Sequence, residues 1–153
     1  MTDLTIELAS DGDHEWCAGL MASNEPWITL GRDLATCRVY CQGPQFETLI
    51  ARRNGERCGC LLLHPTGVAG SPYIAAIVIE PGARGQGIGS KLLEAAESCG
   101  PQARHIFLCV SSFNPRAQRL YEHRGYSKAG EFPDYVVAGA SEILMCKRLV
   151  RHS

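Results

Sequence analysis

Apolar and polar residues alternate from Leu4 to Ala9, the two-residue period of a strand with one buried face. Ser10-Asp11-Gly12-Asp13 follows and supplies N-cap chemistry for a helix running to about Ala22. Beyond the loop Ser23-Asn24-Glu25-Pro26-Trp27, the pattern predicts a second short helix over about Arg32–Tyr40. Phe46–Arg53 and Glu56–His64 are strand-like runs separated by Asn54-Gly55, a dipeptide suited to the positive φ angles of a tight hairpin. Pro65–Pro72 reads as a Gly/Pro-rich loop, and Tyr73–Ile79 as a buried strand ended by Glu80-Pro81-Gly82. Gly87–Cys99 is helical, with Ile88, Leu92, Leu93 and Ala96 on one face and Gly100-Pro101 as its stop. A buried strand over His105–Val110 leads to a helix from about Asn114 to Arg124, with Gly125 in the C-cap position. Tyr126–Gly130 and Glu142–Leu149 close the chain as strands.

A hairpin followed by strand, helix, strand and helix predicts an α/β (α+β) fold with a mixed sheet and helices on its faces. The 153 residues suit one domain, residues 1–153, with a single core. Hydrophobic residues at 45% and charged residues at 20% are ordinary for a globular protein. A net charge of −1 without a basic block argues against a nucleic-acid partner. The longest apolar run, Tyr73–Ile79, is far short of the roughly 20 residues that span a bilayer, and no secretory pattern opens the sequence. Eight scattered cysteines with no Cys-x-x-Cys pair read as reduced structural thiols of a cytoplasmic protein, without a metal.

The segment from Val78 to Gly89 carries the most chemistry. A strand enters a loop with glycines at 85, 87 and 89, and the loop opens directly into a helix. Helix N-termini present unsatisfied N–H groups and partial positive charge, and glycines let a backbone approach a phosphate closely. A Walker A loop is disfavoured because Ser90-Lys91 stand in the reverse order. A Rossmann fingerprint is disfavoured by the Gly-x-Gly-x-Gly spacing and by the lack of an acidic residue after the next strand. A plain turn and helix cap remains the alternative when the segment is taken alone.

It does not stand alone. Arg84-x-x-Gly87-x-Gly89, after a strand ending in Val-x-x-Pro, resembles the acyl-CoA-binding motif of the GNAT acetyltransferase superfamily. Asn114-Pro115-Arg116-Ala117-Gln118-Arg119-Leu120-Tyr121, continuing to Gly125-Tyr126, resembles the second signature of that family. The motif-level resemblance covers roughly Tyr73–Tyr126, and the element order matches throughout. It implies a GNAT-like, mostly antiparallel sheet of about seven strands flanked by about four helices. It also implies acetyl-CoA (coenzyme A) as cofactor and transfer of its acetyl group to an amine by direct attack. The pyrophosphate would rest on Gly85, Gln86, Gly87, Ile88, Gly89 and Ser90, with Arg84 adding charge or standing as an ordinary exposed arginine. The pantetheine arm would follow Ile77, Val78 and Ile79, and Asn114 would bond it or merely cap its helix.

Amine acetylation needs a neutral nucleophile, donors for the oxyanion and a proton for the departing thiolate. Tyr121 matches the tyrosine that serves the thiolate in the family, against the alternative that it only packs beneath the sheet. Glu80, at the end of the central strand, is a candidate base or a solvated carboxylate, and Tyr73 is a weaker one. Family members often use a water chain instead. The acceptor pocket implied by the resemblance joins Glu25 and Trp27 to Phe132-Pro133-Asp134-Tyr135, aromatic and acidic groups that suit a cationic amine. The acceptor would be a small molecule or a peptide, and the protein a monomer or homodimer. A non-catalytic acyl-CoA-binding domain of the same fold is the second reading.

Overall fold

Seven extended segments pair edge to edge, and the central ones, within 47–79 and 105–111, carry the apolar residues that the helices cover. The computed structural model describes residues 3–99 and 103–149, so the Gly100-Pro101 helix stop lies outside the described residues. In chain order the elements are β1 (Leu4–Leu8), α1 (Asp11–Ala22), α2 (Leu34–Cys41), β2 (Glu47–Arg53), β3 (Glu56–Val68) and β4 (Ser71–Ile79). A 3₁₀ turn (Pro81–Ala83), α3 (Ile88–Ser98), β5 (His105–Ser111), α4 (Pro115–His123), β6 (Ser127–Pro133) and β7 (Ser141–Arg148) follow. The strand order is β1-β2-β3-β4-β5-β7-β6, and every neighbouring pair is antiparallel except β4–β5. No helix among the described residues is long and apolar enough to cross a membrane.

Strand alternation divides the core into two layers. Leu49, Ala51, Leu61, Leu63 and Ile74 face α3 and α4 and pack with Leu92, Leu93, Ala96 and Tyr121. Ile50, Cys60, Leu62, Ala76 and Val78 face α1 and α2 and pack with Cys17, Met21, Cys37 and Cys41. All eight cysteines are free thiols, and burial pushes Cys41 up to about 12, so it stays protonated and acts as a small hydrophobe.

Two departures from the sequence pattern bear on the site. First, the expected loop over Pro65–Pro72 is mostly strand. β3 runs on to Val68, β4 begins at Ser71, and the reversal is confined to Ala69 and Gly70, both at positive φ (49° and 87°). Pairing of Val68 with Ser71 across this two-residue turn outweighs the local Gly/Pro signal, at the cost of irregular register between His64 and Val68. Second, β4 carries a bulge. Leu62 pairs with Ala76 and Leu63 with Ile74, which leaves Ala75 as the extra residue. Ala75 and Ala76 therefore both face the α1–α2 layer. An all-apolar run has no alternation from which such a phase change can be read. The last hairpin is also longer than expected, with β6 reaching Pro133 rather than Gly130.

One buried charge ties α1 to the sheet. Asp13 is 2% exposed; its Oδ2 accepts from the Ser10 N–H (2.9 Å) and hydroxyl (3.0 Å). Its Oδ1 accepts from Arg52 (2.8 Å) and Arg57 (2.7 Å). Burial alone would raise this carboxyl, but the Ser10 N–H and the two guanidiniums outweigh it and hold the group well below the usual carboxylate range. Its stabilising contribution is therefore complete above the unfolded value of about 3.9 and fades as pH falls below it. Asp13→Ala should cost about 2–4 kcal/mol at pH 7, read from urea midpoints. The gap to wild type should narrow at pH 3; an equal gap at both pH values would contradict this role for Asp13.

Candidate active site

The parallel pair β4–β5 stays in register only through Tyr73↔Phe107 and Ile74↔Leu108. Beyond Ile74 the two strands part, while β5 remains paired with β7 along its whole length, from His105↔Arg148 to Ser111↔Glu142. The β4 edge from Ala75 to Ile79 thus faces a gap without a strand partner. Backbone groups on such an edge require donors and acceptors from elsewhere.

Two cavities open along this split. One, of about 320 Å³, is lined by Ile77, Val78 and Ile79 of β4, by the loop residues Arg84, Gly85 and Gly87, and by the start of α3 at Ile88, Gly89 and Ser90. The other, of about 450 Å³, lies between the α1–α2 loop, β4 residues 73–77, β5 residues 108–111 and the β6–β7 loop. Glu25, Ile77, Asn114, Ala117 and Tyr121 border both, so the cavities meet there.

The smaller cavity has the features of a phosphate cradle. The N-caps of α2 and α4 are filled by their own side chains: Asp33 Oδ1 accepts from Thr36 N–H (2.9 Å), and Asn114 Oδ1 accepts from Ala117 N–H (3.3 Å). The N-cap of α3 is Gly87, at φ 82°, with no side chain to offer. The first helical bond there runs from Lys91 N–H to Gly87 C=O (3.2 Å), which leaves the N–H groups of Ile88, Gly89 and Ser90 without a helical acceptor. No acidic residue stands in this first turn, and Arg84 and Arg116 line the same cavity. A Cβ on Gly89 would come within 3.1 Å of Leu120 Cδ2, so glycine also sets the close packing of α3 on α4. Open donors, basic side chains and an unpaired strand edge leading away from them fit coenzyme A, whose pyrophosphate is anionic and whose pantetheine arm carries amides.

Tyr121 stands where the cavities meet. It is 5% exposed, burial pushes its phenol above the usual tyrosine range, and its ring packs edge-on against Tyr126 at 6.1 Å. No described residue hydrogen-bonds its hydroxyl. Asn114 does two things at once: it caps α4 and borders both cavities. Arg84 donates to Asn24 Oδ1 (3.0 Å), and buried Asn24 in turn donates to the Leu20 carbonyl (2.8 Å). The glycine loop is thereby tied to the end of α1. Trp27, Tyr73 and Tyr135 line the larger cavity, as does Glu25, whose carboxylate accepts from Thr29 N–H (2.9 Å) and Thr29 hydroxyl (2.7 Å).

Three of the residues expected from sequence are not brought into these cavities. Glu80 is exposed and lines neither, and its N–H bonds the Cys58 carbonyl (2.9 Å). Asp134, at φ 55°, spends its carboxylate on the Gly139 N–H (2.6 Å) and holds the β6–β7 loop. Gln86 is exposed and outside the lining of the smaller cavity. Arg116 and Glu142, by contrast, line the cavities without having been singled out. Arg116 sat inside the second motif, whereas Glu142 had no local signal, since only the β5–β7 register delivers it to the wall.

Gly87→Val should strain the left-handed N-cap and fill the approach to the open N–H groups. Calorimetry should register at least a tenfold loss of coenzyme A affinity with the far-UV spectrum kept. Undiminished affinity would contradict the cradle.

The comparisons with known proteins agree with this geometry. Residues 13–126 match the acetyltransferase (GNAT) family. The uncharacterized N-acetyltransferase YhfO of Bacillus subtilis is 37% identical over 93 residues, covering 57% of this chain and 62% of that protein. Blasticidin-S acetyltransferase of Streptomyces morookaense is 32% identical over 77 residues, covering 48% of this chain and 54% of that protein. The matches thus span between about half and three fifths of these relatives' lengths. The crystal structure of an aminoglycoside 6'-N-acetyltransferase complexed with coenzyme A superposes with a TM-score of 0.79 at 15% identity, covering 97% of this chain and 99% of that one. At that identity the likeness speaks for the fold, and the family match over most of the chain carries the assignment: this protein belongs to the GNAT acetyltransferase family.

Proposed function

We propose that the protein is an N-acetyltransferase that binds acetyl-CoA in the smaller cavity and an amine in the larger one, with direct transfer between them. One observation carries the reading: the two cavities meet at Tyr121, a buried phenol without a hydrogen-bond partner among the described residues. Acetyl-CoA supplies an acetyl group already activated as a thioester. The open N–H groups of Ile88, Gly89 and Ser90 bind the pyrophosphate, and Arg84 and Arg116 add positive charge. The unpaired edge of β4 at Ile77–Ile79 takes the amides of the pantetheine arm, which aims the thioester at the junction.

At the junction the amine nitrogen forms the new C–N bond as the C–S bond breaks. Negative charge grows first on the carbonyl oxygen and then on sulfur. The bulged backbone at Ala75–Ala76 offers N–H groups for the first. The Tyr121 hydroxyl gives its proton to the second, and a phenol held above its ordinary value of about 10 is fully protonated at neutral pH. Glu80 lines neither cavity, and burial and the adjacent Cys109 thiol hold Tyr73 protonated, so in this reading the acceptor's proton leaves by water.

The acceptor is a small molecule or an exposed peptide amine, and the name of the Streptomyces relative makes blasticidin S the first compound to try. Tyr121→Phe should lower amine-dependent release of the coenzyme A thiol by about 10²-fold or more, with acetyl-CoA affinity changed less than threefold. Unchanged turnover would remove Tyr121 from the proton transfer. A loss confined to affinity would make it a packing residue.

A further inference from the structure

Two carboxylates line the acceptor cavity, and they differ in what their oxygens already do. Both oxygens of Glu25 are engaged by Thr29 (2.9 and 2.7 Å). Glu142, the second residue of β7, has one oxygen engaged: Oε2 accepts from the Ser111 hydroxyl at 2.7 Å. No described residue bonds Oε1, and no cation of the described chain forms an ion pair with the group. Oε1 is therefore left open to accept from a cationic donor that enters the cavity.

The position of Glu142 is firmly set. Ser111 is 2% exposed and is its cross-strand partner at the last register position of β5–β7. The Ser111 carbonyl accepts from Asn114 N–H (2.9 Å), and Asn114 borders both cavities. The carboxylate therefore stands on the cavity side adjoining the junction. Its charge reaches inward: burial is the main cause that raises Cys109, with the charge of Glu142 adding to it, and Tyr73 is raised by burial, then by Cys109 and Tyr40, and least by Glu142. Arg32, the one cation lining this cavity among the described residues, sits 5.9 Å over the Tyr40 ring. The rest of the wall is mostly apolar and includes the rings of Trp27, Tyr40, Tyr73, Phe132 and Tyr135. Three of these are partly open to solvent at the rim: Tyr40 at 38%, Phe132 at 43% and Tyr135 at 71%. Exposed rings around a cavity that carries carboxylates select a ligand that is apolar in body and positive at one end.

We propose that Glu142, oriented by Ser111, binds the ammonium group of the acceptor through its open Oε1, and that the acceptor is an amine attached to an aromatic or similarly apolar body. This rests on the acetyltransferase reading for the identity of the larger cavity. Glu142 is a specificity residue, and it touches the acceptor rather than coenzyme A.

The test uses the full chain saturated with coenzyme A and three probes titrated by calorimetry: phenethylammonium, its neutral counterpart 2-phenylethanol, and ethylammonium. Phenethylammonium should bind at least tenfold more tightly than either of the others. Glu142→Gln, which keeps the bond from Ser111, should abolish the preference for the cation over the alcohol while coenzyme A affinity stays within threefold. Equal binding of the alcohol by wild type, or an unchanged preference in Glu142→Gln, overturns the role of Glu142. Equal binding of ethylammonium, or no binding by any probe, overturns the assigned class of acceptor. The coenzyme A titration reports separately: its failure in wild type would sink the acetyltransferase reading and this proposal with it.

Discussion

The parting of β4 from β5 is the feature on which the rest of the site depends. Two adjacent parallel strands normally satisfy each other along their length, yet these do so at only two register positions. From Ala75 onward the β4 edge has no strand beside it, and both cavities lie along that interruption. A sheet does not open in this way unless each half is held independently. On one side β2, β3 and β4 are paired antiparallel and clamped between the two helical layers. On the other, β5 is bound to β7 over seven consecutive positions and β7 to β6.

The helices convert this opening into chemistry. α3 starts beside β4 with an N-cap that has no side chain, so its free N–H groups and positive dipole end are left for an anion. α4 starts beside β5 with a filled cap and an apolar stripe that delivers Tyr121 to the point where the cavities join. The contrast between a capped and an uncapped helix, a few residues of sequence each, is what distinguishes a structural helix start from a binding one. Arg84 links the two halves of the site, since its contact with Asn24 fixes the glycine loop to the segment that leads into the acceptor wall.

Most of the fold was legible in the sequence because its elements obey local rules. The Asn54-Gly55 hairpin forms with both residues at positive φ (52° and 83°). The stripe Ile88, Leu92, Leu93, Ala96 is buried as its spacing requires. The glycine loop and the Asn114–Tyr126 segment could be read for the same reason, since their chemistry lies in consecutive residues. What escaped was decided by pairing across the sheet. Pro65–Pro72 looked like a loop until the β3–β4 register extended it, and the bulge at Ala75 lies in an unbroken apolar run with no alternation to interrupt. Glu142 is an unremarkable acid on a strand until Ser111 is found opposite it, 31 residues away. Glu80 and Asp134 show the converse: an acid at a suggestive chain position whose side chain the fold directs to solvent or to a turn.

The account stands most directly on what the split sheet holds, and ligand-dependent unfolding measures that. A ligand that binds only the native state at about 100 times its Kd adds about 2.7 kcal/mol, which for a domain of this size raises Tm by about 5–10 °C. Acetyl-CoA and coenzyme A should each produce that rise, and ATP, which shares the phosphates but lacks the pantetheine arm, should produce far less. An equal rise with ATP would reduce the site to a phosphate cradle at α3. No rise with either coenzyme A species in a folded sample would contradict the account at its centre.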